Sequence, residues 1–177
     1  MEEKLVKPPL LPPQKIVVVG VDCSTTGYCA VFLDEHGDCV NTHSFKAHSD
    51  NDVCNMGQVA DDFQDNVLET EICETKTVVV VTEAPIYIQN IKVTLGIARI
   101  VSGIQLMGSC HNHFTVDNKH WKKDVLGNGK ASKGDIKQFA VLKWPGLSGM
   151  AQDFCDAACI AWWGVRRFGK NAPLLGE

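Results

Sequence analysis

Four carboxylates are spaced along this chain as a pair of metal ions would need them. Asp22 ends the apolar run 16–21, Glu83 ends a second run at 78–82, and Asp153 and Asp156 open a helical pattern near the C-terminus. Both runs are short, β-branched and nearly continuous, which suits strands buried on both faces, so each acid emerges at a strand end. Burying an unpaired acid there is costly. A bound divalent cation removes that cost, and two such ions about 3.5 to 4 Å apart clamp the attacking and leaving oxygens of a phosphodiester. Asp153 and Asp156 stand three residues apart, on one helix face, where like charges repel unless a cation lies between them.

Plainer roles compete for each acid. Asp22 precedes CSTTG and could hydrogen-bond a turn. Asp153 and Asp156 could be an N-cap and a first-turn acid favoured by the helix dipole. Glu83, after four valines and a threonine, has little structural purpose. The four together are far more specific than any one alone.

The chain of 177 residues, 45% hydrophobic, suffices for one well-buried core and shows no internal repeat. Residues 1–14 read as a flexible, proline-rich lead, 15–169 as one nuclease domain and 170–177 as a tail. Neither a membrane-length apolar segment nor a signal-peptide core is evident, which implies a cytosolic protein. The eight cysteines are scattered through strand and helix patterns and read as reduced, mostly buried thiols. Cys110, His111 and His113 could ligate zinc, but no second pair at finger spacing accompanies them.

Net charge is −4, yet its distribution is uneven. Residues 115–144 hold seven lysines against three aspartates, a local net of +4 that leaves −8 elsewhere. Screening acts over only about 8 Å in the cell, so this local surplus is what a phosphate backbone meets. A merely solvated helical surface is the alternative.

Hydrophobic patterning predicts strands at 16–22, 28–33 and 39–45, a helix over 52–74, a strand at 77–83, a helix over 90–107 apolar nearly all round, a strand at 114–116 and a last helix over 150–167. The 52–74 helix should bury Val53, Met56, Val59, Ala60, Phe63, Val67 and Leu68. This order implies an α/β fold, a five-stranded mixed sheet with helices on both faces. The crossover helix makes the fourth strand parallel to the first, which brings Asp22 and Glu83 to one sheet edge. This is the ribonuclease H-like architecture.

The motifs resemble those of RuvC-type Holliday junction resolvases, bacteriophage members included, from residue 16 to about residue 163. VVGVDCSTTGY at 18–28 is similar to the family's first-strand motif, with Cys23-Ser24 in place of its usual Pro-Gly. TEAP at 82–85, Gln89-Asn90 and LGIAR at 95–99 resemble the second acid and the helix that pairs two subunits in such enzymes. WKK at 121–123 and GNGKASK at 127–133 resemble the basic loop, and DFCDAA at 153–158 the closing motif.

The resemblance implies a homodimeric endonuclease that nicks a four-way junction symmetrically, using two Mg2+ ions, for which Mn2+ would substitute, held by Asp22, Glu83, Asp153 and Asp156. Lys122 and Lys133 carry over as phosphate contacts, and Lys133 would also steady charge at the scissile group. Lys123 and Lys130 extend the DNA-binding set, and Tyr87 could wedge or stack at an opened junction or simply pack. Location would be the bacterial cytosol, or the host cytosol for a phage protein. Small residues Gly96, Ala98, Ser102 and Gly103 would let two copies of the 90–107 helix approach closely.

Three other readings are open. A viral nuclease with a broad preference for forks, flaps and Y-junctions fits the same residues. GVDCSTTG also resembles the phosphate-binding hairpin of actin-like sugar kinases, but those need two such domains and a second glycine-rich loop. A protein that binds branched DNA without cutting it would not need all four acids.

Overall fold

The computed structural model describes residues 15–49, 51–74, 76–85, 90–107 and 112–169. Three antiparallel strands open the chain: β1 (Ile16–Cys23), β2 (Gly27–Asp34) and β3 (Cys39–Lys46). After α1 (Asp52–Phe63) and a short α2 (Glu71–Glu74), β4 (Thr77–Glu83) lies parallel to β1. α3 (Ile91–Met107) leads to β5 (Asn112–Val116), parallel to β4. α4 (Asn118–Leu126), α5 (Lys133–Lys143) and α6 (Gln152–Phe168) complete the chain. The sheet order is β3-β2-β1-β4-β5, as the expected mixed five-stranded α/β architecture requires.

Strand alternation divides the core into two layers. Val17, Val19, Val21, Val78 and Val80 pack with Val59, Phe63, Ile100 and Ile104 from α1 and α3. Val18, Val79 and Val81 pack with Ala157, Ile160 and Ala161 of α6 and with Trp121 and Ile136 of α4 and α5. Side chains of alternate residues face opposite ways, so Asp22 continues the Val18 and Gly20 row and Glu83 the Val79 and Val81 row. Both acids therefore emerge on the α6 side.

The expected continuous helix over 52–74 is broken. Residues Gln64–Leu68 form a π-turn, closed by the Glu69 amide on the Gln64 carbonyl at 2.9 Å, and Thr70 then starts α2 by accepting the Cys73 amide at 2.8 Å. The wider turn keeps Val67 and Leu68 in the core. Val53, expected on the buried face, is 62% exposed in the first turn of α1. β5 starts two residues before its expected beginning, and the lysine-rich region holds two helices and a 3₁₀ turn (Pro145–Leu147). Seven described cysteines are free thiols, but only Cys73, Cys155 and Cys159 are buried, while Cys39 and Cys54 are exposed. The expectation of mostly buried thiols fails because the exposed pair lies on the edge strand and in the outer first turn of α1. Among the described residues no helix is long and apolar enough to cross a membrane.

Candidate active site

Asp22 is the penultimate residue of β1 and stands opposite Cys29 of β2, while the β1–β4 ladder ends with Val21 against Thr82, one residue before both acids. The turn after Asp22 is closed by Ser24, whose amide and hydroxyl both donate to the Gly27 carbonyl, at 2.9 and 3.2 Å. Asp22 is thus not needed for that turn.

α6 supplies the next two acids by lying unusually close to β1. A Cβ on Gly20 would overlap the Ala157 carbonyl oxygen and the Ala161 amide nitrogen, and one on Gly164 would sit 2.6 Å from Val18 Cγ1. Only small residues along this seam let helix and strand backbones touch. Ala151 is the N-cap and makes no side-chain capping bond, so Asp153 is a first-turn acid and not the cap. One carboxylate oxygen from each of Asp22, Asp153 and Asp156 lies within 4.8 Å of the others.

Such crowding of like charges at a half-buried place perturbs titration. Burial, then Asp156, Glu83 and Asp153, pushes the Asp22 carboxyl well above the usual aspartate range, with Lys133 pulling the other way. Asp156 is raised by burial and by Glu83, against the opposing pull of a Gln152 hydrogen bond, Lys122 and Lys133. The side-chain amide of Gln152 donates to Asp156 Oδ1 at 3.1 Å. The cluster is short of positive charge. Its donors are hard carboxylate oxygens, the set that magnesium, manganese or calcium prefers. Cys29 beside Asp22 does not change that preference, because burial, then Asp153 and Asp22, pushes its thiol up to about 12.

Glu83 stands apart from the three-acid group, and its oxygens have other partners. Oε1 accepts from Asn118 Nδ2 at 2.8 Å and Oε2 from Trp121 Nε1 at 2.9 Å. Sequence reasoning missed Asn118, Trp121 and Gln152 as site residues. Gln152 directly precedes Asp153 and Trp121 opens the WKK motif, so both could have been noticed, but nothing local marks Asn118.

The lysines divide by place. The charges of Lys122 on α4 and Lys133 at the start of α5 are both felt at Asp156, and that of Lys133 also at Asp22. Lys123 on α4 and Lys130 in the loop between α4 and α5 are exposed. The three aspartates of this basic segment are occupied internally. Asp117 caps α4, Asp135 closes a capping box with Ser132 on α5, and Asp124 accepts from Trp163 Nε1 at 2.9 Å. Six of the seven lysines are exposed and Lys122 is half-buried, so the surplus lies at the surface. Gly127, at φ +76°, ends α4 in the left-handed conformation that turns the chain toward Lys130.

On the other side of the acids, a cleft of about 740 Å³ runs from Asp22 and Asp153 past Ser24, Thr26 and Ser44 to Lys46 and His48. Tyr87, together with Cys110 and His111, lies outside the described residues. His113, the third of the suggested zinc ligands, sits 3.2 Å from Thr82 Oγ1, and burial lowers its pKa.

No protein-family model and no curated protein sequence matches the chain. Solved structures do. Thermus thermophilus RuvC superposes with a TM-score of 0.66 at 14% identity, covering 83% of this chain and 92% of that one. The chain has the RuvC fold. The same protein in complex with a Holliday junction substrate gives a TM-score of 0.68 at 14% identity, over 83% and 91% of the two chains. The yeast mitochondrial Holliday junction resolvase Ydc2 gives 0.57 at 15% identity, over 89% and 80%. At such identities the likeness establishes the RuvC architecture, with its ribonuclease H-like sheet and flanking helices, while the roles of individual side chains must come from their chemistry.

Proposed function

We propose that the protein is a divalent-metal-dependent endodeoxyribonuclease that resolves four-way DNA junctions. The observation that carries this reading is the convergence of Asp22, Asp153 and Asp156 within 4.8 Å, with Glu83, Lys122 and Lys133 near enough for their charges to act on Asp156. An all-oxygen cluster in which Asp22 and Asp156 have raised carboxyl pKa values has the charge deficit that divalent cations fill, and the surface lysines supply the complementary surface for phosphates. RuvC in complex with its Holliday junction substrate shares the fold, which supports branched DNA as the ligand.

Asp22, between Glu83 of β4 and the two acids of α6, would hold both ions, with Glu83 on one side and Asp153 and Asp156 on the other. Two divalent cations, Mg2+ or Mn2+, supply when bound the charge that activates water and stabilises the departing 3′-oxygen. Gln152 keeps the Asp156 carboxylate oriented through its amide. Lys133 pulls the carboxyl pKa values of Asp22 and Asp156 down against the larger upward push of burial and neighbouring acids, and its ammonium would offset negative charge building on a phosphate. Lys122, with Lys123 and Lys130 farther out, would seat flanking phosphates and so fix register without reading sequence.

A homodimer would set two such sites on opposite strands of a junction. Support comes from α3, where Ile91, Leu95 and Leu106 are 55%, 47% and 65% exposed along one stripe. The expected close approach through small residues needs revision. Gly103 packs on Met56 and Ala60 of α1 and Gly96 on Thr25 in the turn between β1 and β2, both within the chain. Only the Ala98 and Ser102 side of the helix is left for a partner.

Cleavage of a mobile four-way junction, a fork, a flap and linear duplex by the wild-type chain, alongside Asp22→Asn and Glu83→Gln, tests the proposal. Junction cleavage should dominate, and both variants should lose several orders of magnitude in rate while still binding the junction. Either variant nicking at more than about a tenth of the normal rate overturns the metal-site assignment. Equal cleavage of forks and flaps favours a general branched-DNA nuclease instead.

A further inference from the structure

Asn118 and Trp121 stand on one face of the first turns of α4, three residues apart, and each gives one hydrogen bond to a different oxygen of Glu83. Trp121 is 1% exposed, and an indole N–H can only donate, so burial obliges it to find an acceptor and ties the ring to this carboxylate. An ionised carboxylate offers about four lone-pair positions, so two donors orient Glu83 and leave room for a cation. Lys122 is joined to the same unit. Its Nζ lies 5.5 Å from the centre of the Trp121 ring, and its charge is felt at Asp156. The far end of α4 is anchored as well, by the Trp163 indole on the Asp124 carboxylate and by Arg166 on the Asp124 carbonyl. α4 is thus fixed at both ends to the elements that carry the acids, while it presents lysines outward.

We propose that Asn118 and Trp121 are positioning residues that orient the Glu83 carboxylate for a divalent cation, and that α4 thereby couples cation binding at the acids to phosphate binding at Lys122. The inference rests on the metal-dependent nuclease reading and extends it to residues outside the acid cluster. Outer partners of a metal ligand fix its orientation, and their loss costs about 10- to 100-fold in metal affinity. Coupling between two ligands is reciprocal, so a junction that tightens cation binding must itself be bound more tightly, by the same factor, when the cation is present.

The test is calcium binding to the full chain by calorimetry, first without DNA, for wild type, Asn118→Ala and Trp121→Phe. Phenylalanine keeps an aromatic ring and removes the donor together with part of the indole's volume. Each variant should bind calcium about 10- to 100-fold more weakly, with metal-free junction affinity near wild type, and Asn118→Ala should keep its melting midpoint. A purely structural role would move the melting midpoint and leave the calcium affinity of the folded protein unchanged, which overturns the proposal. Should Trp121→Phe fail to fold, the half-buried Asn118 carries the test by itself. In the second arm an uncut junction is added. Wild type should then bind calcium more tightly, and Lys122→Ala should bring that gain toward unity; an undiminished gain overturns the coupling. If wild type binds no divalent cation and cuts no DNA, the nuclease reading itself fails. If it binds and cuts normally while both variants match it, only the roles of Asn118 and Trp121 fail.

Discussion

Gly20 of β1 and Ala157 of α6 touch backbone to backbone, and no side chain fits between them. That contact sets Asp156, the residue before Ala157, beside Asp22, two residues after Gly20. Replacing Gly20 by alanine should push α6 off the sheet. Overpacking of this kind costs about 1 to 3 kcal/mol, and displacing reactive groups by about 1 Å can cost 100-fold in rate. Guanidinium unfolding and junction cleavage should therefore both deteriorate in Gly20→Ala. Wild-type values for both would show that the seam can relax without moving the acids.

Metal-free protein should become less stable as pH rises from the ordinary aspartate range. Asp22 and Asp156 have raised carboxyl pKa values when folded, so within that window the folded chain binds more protons than the unfolded one. The unfolding free energy then falls with increasing pH, and the loss is complete above the folded values. Asp22→Asn removes the main contributor. Urea midpoints in chelator between about pH 4 and about pH 8 should show the variant gaining on wild type as pH rises, and calcium should abolish the wild-type decline. Parallel curves would contradict the crowding of charge at the site.

The basic helices should act as an electrostatic footprint. Lys122→Ala or Lys133→Ala should weaken binding to every DNA alike and lower the salt slope by roughly one unit per lost phosphate contact. An unchanged slope in both would reduce the +4 segment to a solvated surface.

Self-association should depend on the exposed stripe of α3. Sedimentation of the wild type at micromolar concentration should show a dimer, and Leu95→Glu with Leu106→Glu should give a species near 19.4 kDa. A wild-type monomer of that mass would leave paired incision without a structural basis, whereas a dimer unaffected by the double substitution would place the interface elsewhere.

The acids, the strands that end in them and the parallel crossover were legible in the chain, because β-branched runs buried on both faces carry a strong local pattern and an acid at their end breaks it. Sequence could not show which face Glu83 takes. Side chains alternate along a strand, so a one-residue slip between β1 and β4 would turn Glu83 toward α1 and α3; the Val21–Thr82 register alone puts it with Asp22. Asn118 and Trp121 lie 35 and 38 residues from Glu83, and no local periodicity encodes a hydrogen bond across that separation. The small residues of α3 could be recognised as allowing close approach, but whether they approach a second copy or α1 depends on how the helix is rotated over the sheet. Composition states what a helix can pack against, and only the assembled core, by occupying one face first, decides what remains outside.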